Sequence, residues 1–243
     1  MRNVWIIASR EFRHYFISPI AYALATMLYL ILGGIFFINV YFGLETGQIS
    51  ADGRIVIGVM VTILLFATPA ITMRLLSDEY RMGTMELLLT APVRDWELVV
   101  GKWLGAFGFM VAVMAVTWVY PLILHRMTSP GIDQGTLVAA YVGLLLMVGA
   151  MLAIGVFISA LFRSPVAAFF VALGVMLGLW IVGSLSSTSG TLGQLAGYVG
   201  IAGHYYDNFY YGVLDLGDAV YFLSLTALSL FLGTQVVQAR RWR

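Results

Sequence analysis

Residues 164–203 read SPVAAFFVALGVMLGLWIVGSLSSTSGTLGQLAGYVGIAG, without a single charged side chain. A hydrocarbon core is crossed by about 20 apolar residues in helical form. The run is therefore long enough for two crossings, and the side on which the C-terminus emerges depends on its second half. That half, residues 186–203, is dominated by Gly, Ser and Thr, which give little apolar burial and let a lipid-facing helix fray. Only residues 165–185 read as a span. The remainder reads as a short interfacial or re-entrant segment.

Charge placement tests the same choice, because Lys and Arg of short loops gather on the cytoplasmic side. Five more uncharged stretches of spanning length lie at about 19–42, 55–73, 103–124, 136–161 and 219–239. With six spans and the N-terminus inside, eleven Lys and Arg fall inside and only Arg54 and Arg126 outside. A seventh span would export the QARRWR tail and change the ratio to eight against five. The expected fold is thus an all-α integral membrane protein with six transmembrane helices and both termini cytoplasmic, forming one domain over residues 1–243. Residues 74–102 are its cytoplasmic loop and residues 186–218 its outer-face segment.

Composition agrees and removes several function classes. Of the 243 residues 61% are hydrophobic and 10% charged, and the mean hydropathy is +0.93, outside the range of a soluble domain. A net charge of +1 gives no electrostatic basis for nucleic-acid binding. With no cysteine there is no disulfide, thiolate nucleophile or Cys-ligated zinc. His14, His125 and His204 are scattered, and neither HExxH nor GxSxG occurs, so intramembrane hydrolysis is not expected. The spans lack internal Asp, Glu, Lys and Arg, groups that ion-coupled transporters use despite an insertion cost of about 2.5–3.5 kcal/mol each. A proton- or sodium-driven mechanism is accordingly disfavoured.

Two segments outside the spans have their own pattern. In MRNVWIIASREFRHYF, which lacks the order of a cleaved signal peptide and is read as part of the mature protein, Trp5, Ala8, Phe12 and Phe16 recur at helical spacing, away from Arg10 and Arg13. Residues 1–18 are expected to form an interfacial amphipathic helix that turns into the membrane at Pro19, the plainer alternative being a basic topogenic leader. The loop RLLSDEYRMGTMELLLTAPVRDWELVVGK, residues 74–102, holds five of the twelve acidic residues: Asp78, Glu79, Glu86, Asp95 and Glu97. Gly83 is a helix stop, Thr84 a cap, and Glu86 sits at the positive end of a two-turn helix over 84–91 that Pro92 closes. Met85, Leu88 and Leu89 form its apolar stripe, suited to lipid headgroups or to a groove in a soluble partner. Gly101-x-x-x-Gly105 and Gly174-x-x-x-Gly178 have the spacing of close helix contacts, although such spacing is easily met in a chain with 26 glycines.

Residues 71–105, ITMRLLSDEYRMGTMELLLTAPVRDWELVVGKWLG, resemble the segment between the second and third spans of type-2 ABC exporter permeases. Within these the gliding-motility-type branch is most similar, with its GT-x-E-L-L-L-T-x-P-V run and following G-K. Residues 204–224, HYYDNFYYGVLDLGDAVYFLS, resemble the same family's histidine, G-V-x-D and D-x-x-Y-F before the last span. One departure is Tyr211, where that pattern has a basic residue. The resemblance implies a permease in the cytoplasmic (inner) membrane of a bacterium, paired with a second permease copy and with cytosolic ABC ATPase subunits, and in some cases with an accessory membrane protein. It also implies that the 84–91 element is the coupling helix, and that ATP and Mg are held by the partner. The chain itself is expected to bind no cofactor or metal and to have no enzyme activity, since no GxxxxGK[ST] loop is present.

Each of these residues also has a plainer reading. Asp78, Glu79 and Arg81 serve ATPase docking and a conformational latch, or form local ion pairs at a solvated helix end worth about 0.3–0.5 kcal/mol each. Arg74 is explained by snorkelling to headgroups. His204 and Asp207 form an outer gate or substrate-exit surface, or lie with Tyr205, Tyr206, Phe209, Tyr210 and Tyr211 in an interfacial aromatic belt, and His204 has the further reading of a group that caps or orients the re-entrant segment. At the level of the whole chain, a membrane scaffold without transport of its own is the alternative to a permease.

Overall fold

In a bilayer every backbone N–H and C=O needs a partner inside the protein, and this sequence meets that demand with helices alone. A computed structural model describes residues 2–47, 52–83, 93–129, 131–185 and 191–241. Among these the helices are α1 (Arg2–Tyr15), α2 (Pro19–Glu45), α3 (Arg54–Thr72), α4 (Ser77–Met82), α5 (Asp95–Val116) and α6 (Val119–Met127), followed by α7 (Gln134–Leu161), α8 (Pro165–Ser184), α9 (Thr191–Val199), α10 (Ile201–Tyr206) and α11 (Leu216–Arg241). A 3₁₀ turn lies at Phe209–Tyr211, and no strand occurs among the described residues. Six helical stretches are long and apolar enough to span: Pro19–Glu45, Arg54–Met82, Asp95–Met127, Gln134–Leu161, Pro165–Gly183 and Leu216–Arg240.

The α7 helix is the axis of the bundle, and α3, α5, α8, α11 and the 209–211 turn all pack on it. In its most apolar stretch 78% of residues are buried inside the protein, against 11% for α2 at the periphery. Two glycines let neighbours approach α7 closely: at Gly155 a Cβ would collide with the Thr72 hydroxyl, and at Gly143 with Phe209. Polar side chains join the spans where water is absent. The Trp103 indole donates to the Gly149 carbonyl at 2.9 Å, the Thr117 and Tyr141 hydroxyls lie 2.8 Å apart, and Tyr29 and Tyr120 donate to the carbonyls of Val113 and Tyr29. Such bonds contribute about 0.6 kcal/mol each in membranes.

Helix α1 runs parallel to the first half of α5 in a constant register. Asn3 bonds to Glu97, Ile7 lies over Gly101, Glu11 over Gly105, and Tyr15 stacks on Phe109 with ring centroids 4.9 Å apart. A Cβ on Gly105 would lie 2.5 Å from the Glu11 Cβ and 3.0 Å from the Ala8 carbonyl, and one on Gly101 would lie 2.8 Å from Ile7. Gly101-x-x-x-Gly105 is therefore a helix contact. Gly174 and Gly178 make no such contact among the described residues of this chain, where a Cβ at either meets nothing within 4 Å.

The face of α1 that packs on α5 is Val4, Ile7 and Ala8, because the α5 glycines admit it, while Trp5 is 74% exposed. The third spanning helix begins at Asp95, well before residue 103. Glu97 accepts hydrogen bonds from the Arg94 and Asn3 N–H groups and so satisfies its first turn. That extension brings Lys102 inside a continuous helix, just before the uncharged stretch that starts at residue 103. The same stretch is also broken at Thr117–Trp118 into α5 and α6.

Gly105→Ala and Gly174→Ala should move the thermal midpoint of the detergent-solubilised chain in opposite directions. The first forces α1 away from α5 at an overpacking cost of about 1–3 kcal/mol, while the second gains about 0.5–1 kcal/mol of helix propensity. A Gly105→Ala protein as stable as the parent would contradict the α1–α5 packing.

Candidate functional site

At the end of α3 the chain breaks over Met73–Leu76 before α4 begins, leaving helix-end N–H groups to be satisfied in a buried place. Ser159, fully buried on α7, does so. Its Oγ accepts from the Leu76 and Ser77 N–H groups, both at 3.1 Å, and its hydroxyl lies 3.2 Å from the Met73 carbonyl. Ser77 adds a bond from its own hydroxyl to the Met73 carbonyl. A side chain of the central helix thus fixes the angle at which α4 leaves α3.

Beside this break lies Lys102, whose side chain is 3% exposed. Its Nζ is 3.0 Å from Glu11 Oε1 on α1 and 2.8 Å from Glu79 Oε1 on α4. A buried ammonium is tolerable only when paired, and here one cation on α5 joins two carboxylates from two other helices. Burial pushes the Glu11 carboxyl up, but Lys102 and then Arg10 more than offset it and hold the group below its ordinary value. The depressed value means that the Glu11 contribution is present above the ordinary carboxylate range and is lost as the pH falls through the folded-state value. On the far side of α4, Arg240 of α11 donates to the Leu161 carbonyl at 2.6 Å and places its guanidinium 4.4 Å from the Tyr80 ring centroid.

The residues singled out in the 74–102 loop have separate environments. Glu79 turns inward to Lys102. Asp78 pairs with Arg81 at 3.0 Å and more loosely with Arg74 at 3.9 Å, while Arg81 and Arg74 themselves are largely exposed. Gly83 ends α4 with φ +71, a conformation open to glycine. Thr84, Met85, Glu86, Leu88, Leu89 and Pro92, with the expected helix over 84–91, lie outside the described residues. Sequence reasoning did not find Glu11 or Lys102, because no local signal links two residues on different helices; only the Gly101–Gly105 spacing pointed to a close neighbour.

At the opposite end of the bundle His204 is held on three sides. Its Nδ1 is 2.6 Å from Asp218 Oδ1, its Nε2 is 3.2 Å from the Tyr198 carbonyl, and its ring stacks on Tyr221 with centroids 3.9 Å apart. The Asn208 amide donates to the other Asp218 oxygen at 2.8 Å, and the Tyr221 hydroxyl donates to the Val199 carbonyl at 2.7 Å. Residues between α9 and α11 are thereby fastened to the first turns of α11. Asp207 is exposed and takes no part, so the carboxylate beside His204 is Asp218. The signal for it was present, since Asp218, Tyr221 and Phe222 are the D-x-x-Y-F of the sequence and all three touch the His204 ring.

The family described as ABC-2 family transporter protein has a model that matches residues 5–199. The match takes in the Ser159 contact and the Glu11–Lys102–Glu79 cluster, and ends before His204. No curated protein matches the chain significantly.

Lys102→Ala leaves Glu11 and Glu79 without the cation between them. It should lower stability by about 3–5 kcal/mol, with partial recovery in Lys102→Ala/Glu79→Gln, as read by thermal melting in detergent; an unchanged midpoint in the single variant would mean that the triad holds nothing. At the other end, Asp218→Asn should cost about 1.5–3 kcal/mol while Asp207→Asn leaves the midpoint unchanged. Equal effects would show that the His204–Asp218 contact has no special weight.

Proposed function

We infer the working role of the chain from one premise: it belongs to the ABC-2 transporter family. It is a multi-pass membrane protein and a permease component of an ABC transporter. Beyond that, we propose an exporter permease of the gliding-motility-type branch in a bacterial cytoplasmic membrane, working as a pair of copies with cytosolic ATPase subunits that hold ATP and Mg. Its substrate is unidentified. In this reading residues 84–91 are the element that the ATPase moves. His204 and its neighbours lie on the outer face, where the substrate leaves.

The observation that carries the proposal is how the residues preceding the 84–92 segment are anchored. Helix α4, which leads into it, is tied to α7 through Ser159, to α5 and α1 through Glu79, Lys102 and Glu11, and to α11 through Tyr80 and Arg240. Helix α5, which follows it, carries α1 along its first half. A displacement applied at residues 84–92 therefore has mechanical routes to four other helices. Closure of two ATPase subunits would draw the 84–91 elements of two copies together and tilt the spans attached to them. In this reading the exposed Arg81 of α4, held by Asp78, meets the ATPase, whereas Glu79 serves the internal tie.

Reconstituted with its ATPase, Leu88→Ala or Glu86→Ala should lower both transport and transport-stimulated ATP hydrolysis several-fold while membrane insertion stays normal. Full coupling in both variants would remove residues 84–91 from the docking role. Failure of the parent chain to stimulate any co-purifying ATPase in liposomes would favour a scaffold.

A further inference from the structure

Between α1, the start of α2, the end of α3 and α4 lies a groove of ≈ 1020 Å³, separate from the outer cluster and floored by the Lys102 triad. Its volume is that of a site for a sizeable ligand. The two walls differ in chemistry. Ile20, Leu24 and Ile71 line it on the side of the spans, and Arg10, Arg13 and Arg74 stand on its rim.

The acidic residues of the groove offset this charge only in part, because they are turned inward. Glu11, Asp78 and Glu79 have side chains 13%, 19% and 14% exposed, against 58% for Arg10 and 54% for Arg74. Glu11 and Glu79 share Lys102, Asp78 is held by Arg81, and Arg10 and Arg74 keep pairings of 3.2 Å with Glu11 and 3.9 Å with Asp78. Arg13 is exposed and pairs with no carboxylate among the described residues. A molecule entering from outside thus meets cations first and hydrocarbon behind them. The groove also lies where α2 begins and α3 ends, which is headgroup depth for a pair of spanning helices.

We propose that this groove binds an anionic phospholipid, its phosphate between Arg10, Arg13 and Arg74 and an acyl chain along Ile20 and Leu24. Basic pockets between transmembrane helices have the charge and depth for acidic headgroups. A lipid seated here would brace α1 against α3 and α4, and would make the stability of the α1–α5 clasp depend on the acidic lipid content of the leaflet. The proposal needs only that the chain lie in a bilayer, and not that it couple to an ATPase.

Trp5 lines the groove and is exposed, so it can report occupancy. The full chain would be placed in phosphatidylcholine vesicles containing a fixed fraction of either brominated-chain phosphatidylglycerol or brominated-chain phosphatidylcholine. The Trp5 signal would be taken as the difference between the parent and Trp5→Phe. Phosphatidylglycerol should quench Trp5 more strongly. That preference should fall about fivefold for each of Arg13→Gln and Arg74→Gln, be retained in Arg13→Lys, and be unaffected by Arg126→Gln in the last turn of α6. Equal quenching by the two lipids, or a preference indifferent to Arg13 and Arg74, would overturn the proposal. Loss of the preference on adding excess inorganic phosphate would overturn it as well, by showing that the site reads a free anion. Because the lipid is present in both leaflets, none of these outcomes depends on membrane orientation or on the transport role.

Discussion

A helix that stops in a place without water must find partners for its last carbonyls and for the first N–H groups of whatever follows, and this constraint governs the whole bundle. Where α3 ends, the partner is Ser159 of α7. Where α5 passes into α6, the Thr117 hydroxyl bonds back to the Met114 carbonyl and meets the Tyr141 hydroxyl, also on α7. One central helix thus supplies the polar groups that allow its neighbours to bend, which is why it is the most buried of the six. Its glycines serve the same end from the steric side, since Gly155 and Gly143 bring the α3 terminus and the 209–211 turn close enough to be held.

The cytoplasmic end in the proposed topology follows a different logic. There α1 is clasped to α5 by glycines that let the backbones approach and by a buried lysine that cannot be left alone. Dispersion between closely packed helices is strong but not directional. The Glu11–Lys102–Glu79 triad adds direction, because displacing either carboxylate helix breaks a hydrogen-bonded ion pair in a dry site. The combination joins α1, α4 and α5 on both sides of residues 84–92, and it also forms the floor of the groove. A lever and a lipid site that share one floor would be thermodynamically coupled, each biasing the other.

At the other end the tie is aromatic and hydrogen-bonded. His204 stacks on Tyr221 and reaches Asp218, so the short α9 and α10 helices, which bury Ala196, Ile201 and Tyr205, are also fastened to the start of α11. The tyrosines around it differ in environment. Tyr205 is fully buried with its hydroxyl toward the Ala140 carbonyl, and Tyr210 lies under Arg54, whereas Tyr211 is largely exposed.

The sequence alone determined the number of long apolar helices, the weakness of residues 186–203 as a span, the stop at Gly83, and the family, because length, hydropathy and local backbone preference are properties of consecutive residues. It also held Asp218, Tyr221 and Phe222 in one short motif without saying what they surround. What only the tertiary structure decided is which face of α1 is buried, that Gly101 and Gly105 are contacts within the chain while Gly174 and Gly178 make none among its described residues, that Lys102 is paired from both sides, and that His204 chooses Asp218 over Asp207. In each of these cases the deciding partner lies on another helix. Energies of pairing and close approach depend on distances between segments that a linear pattern does not contain.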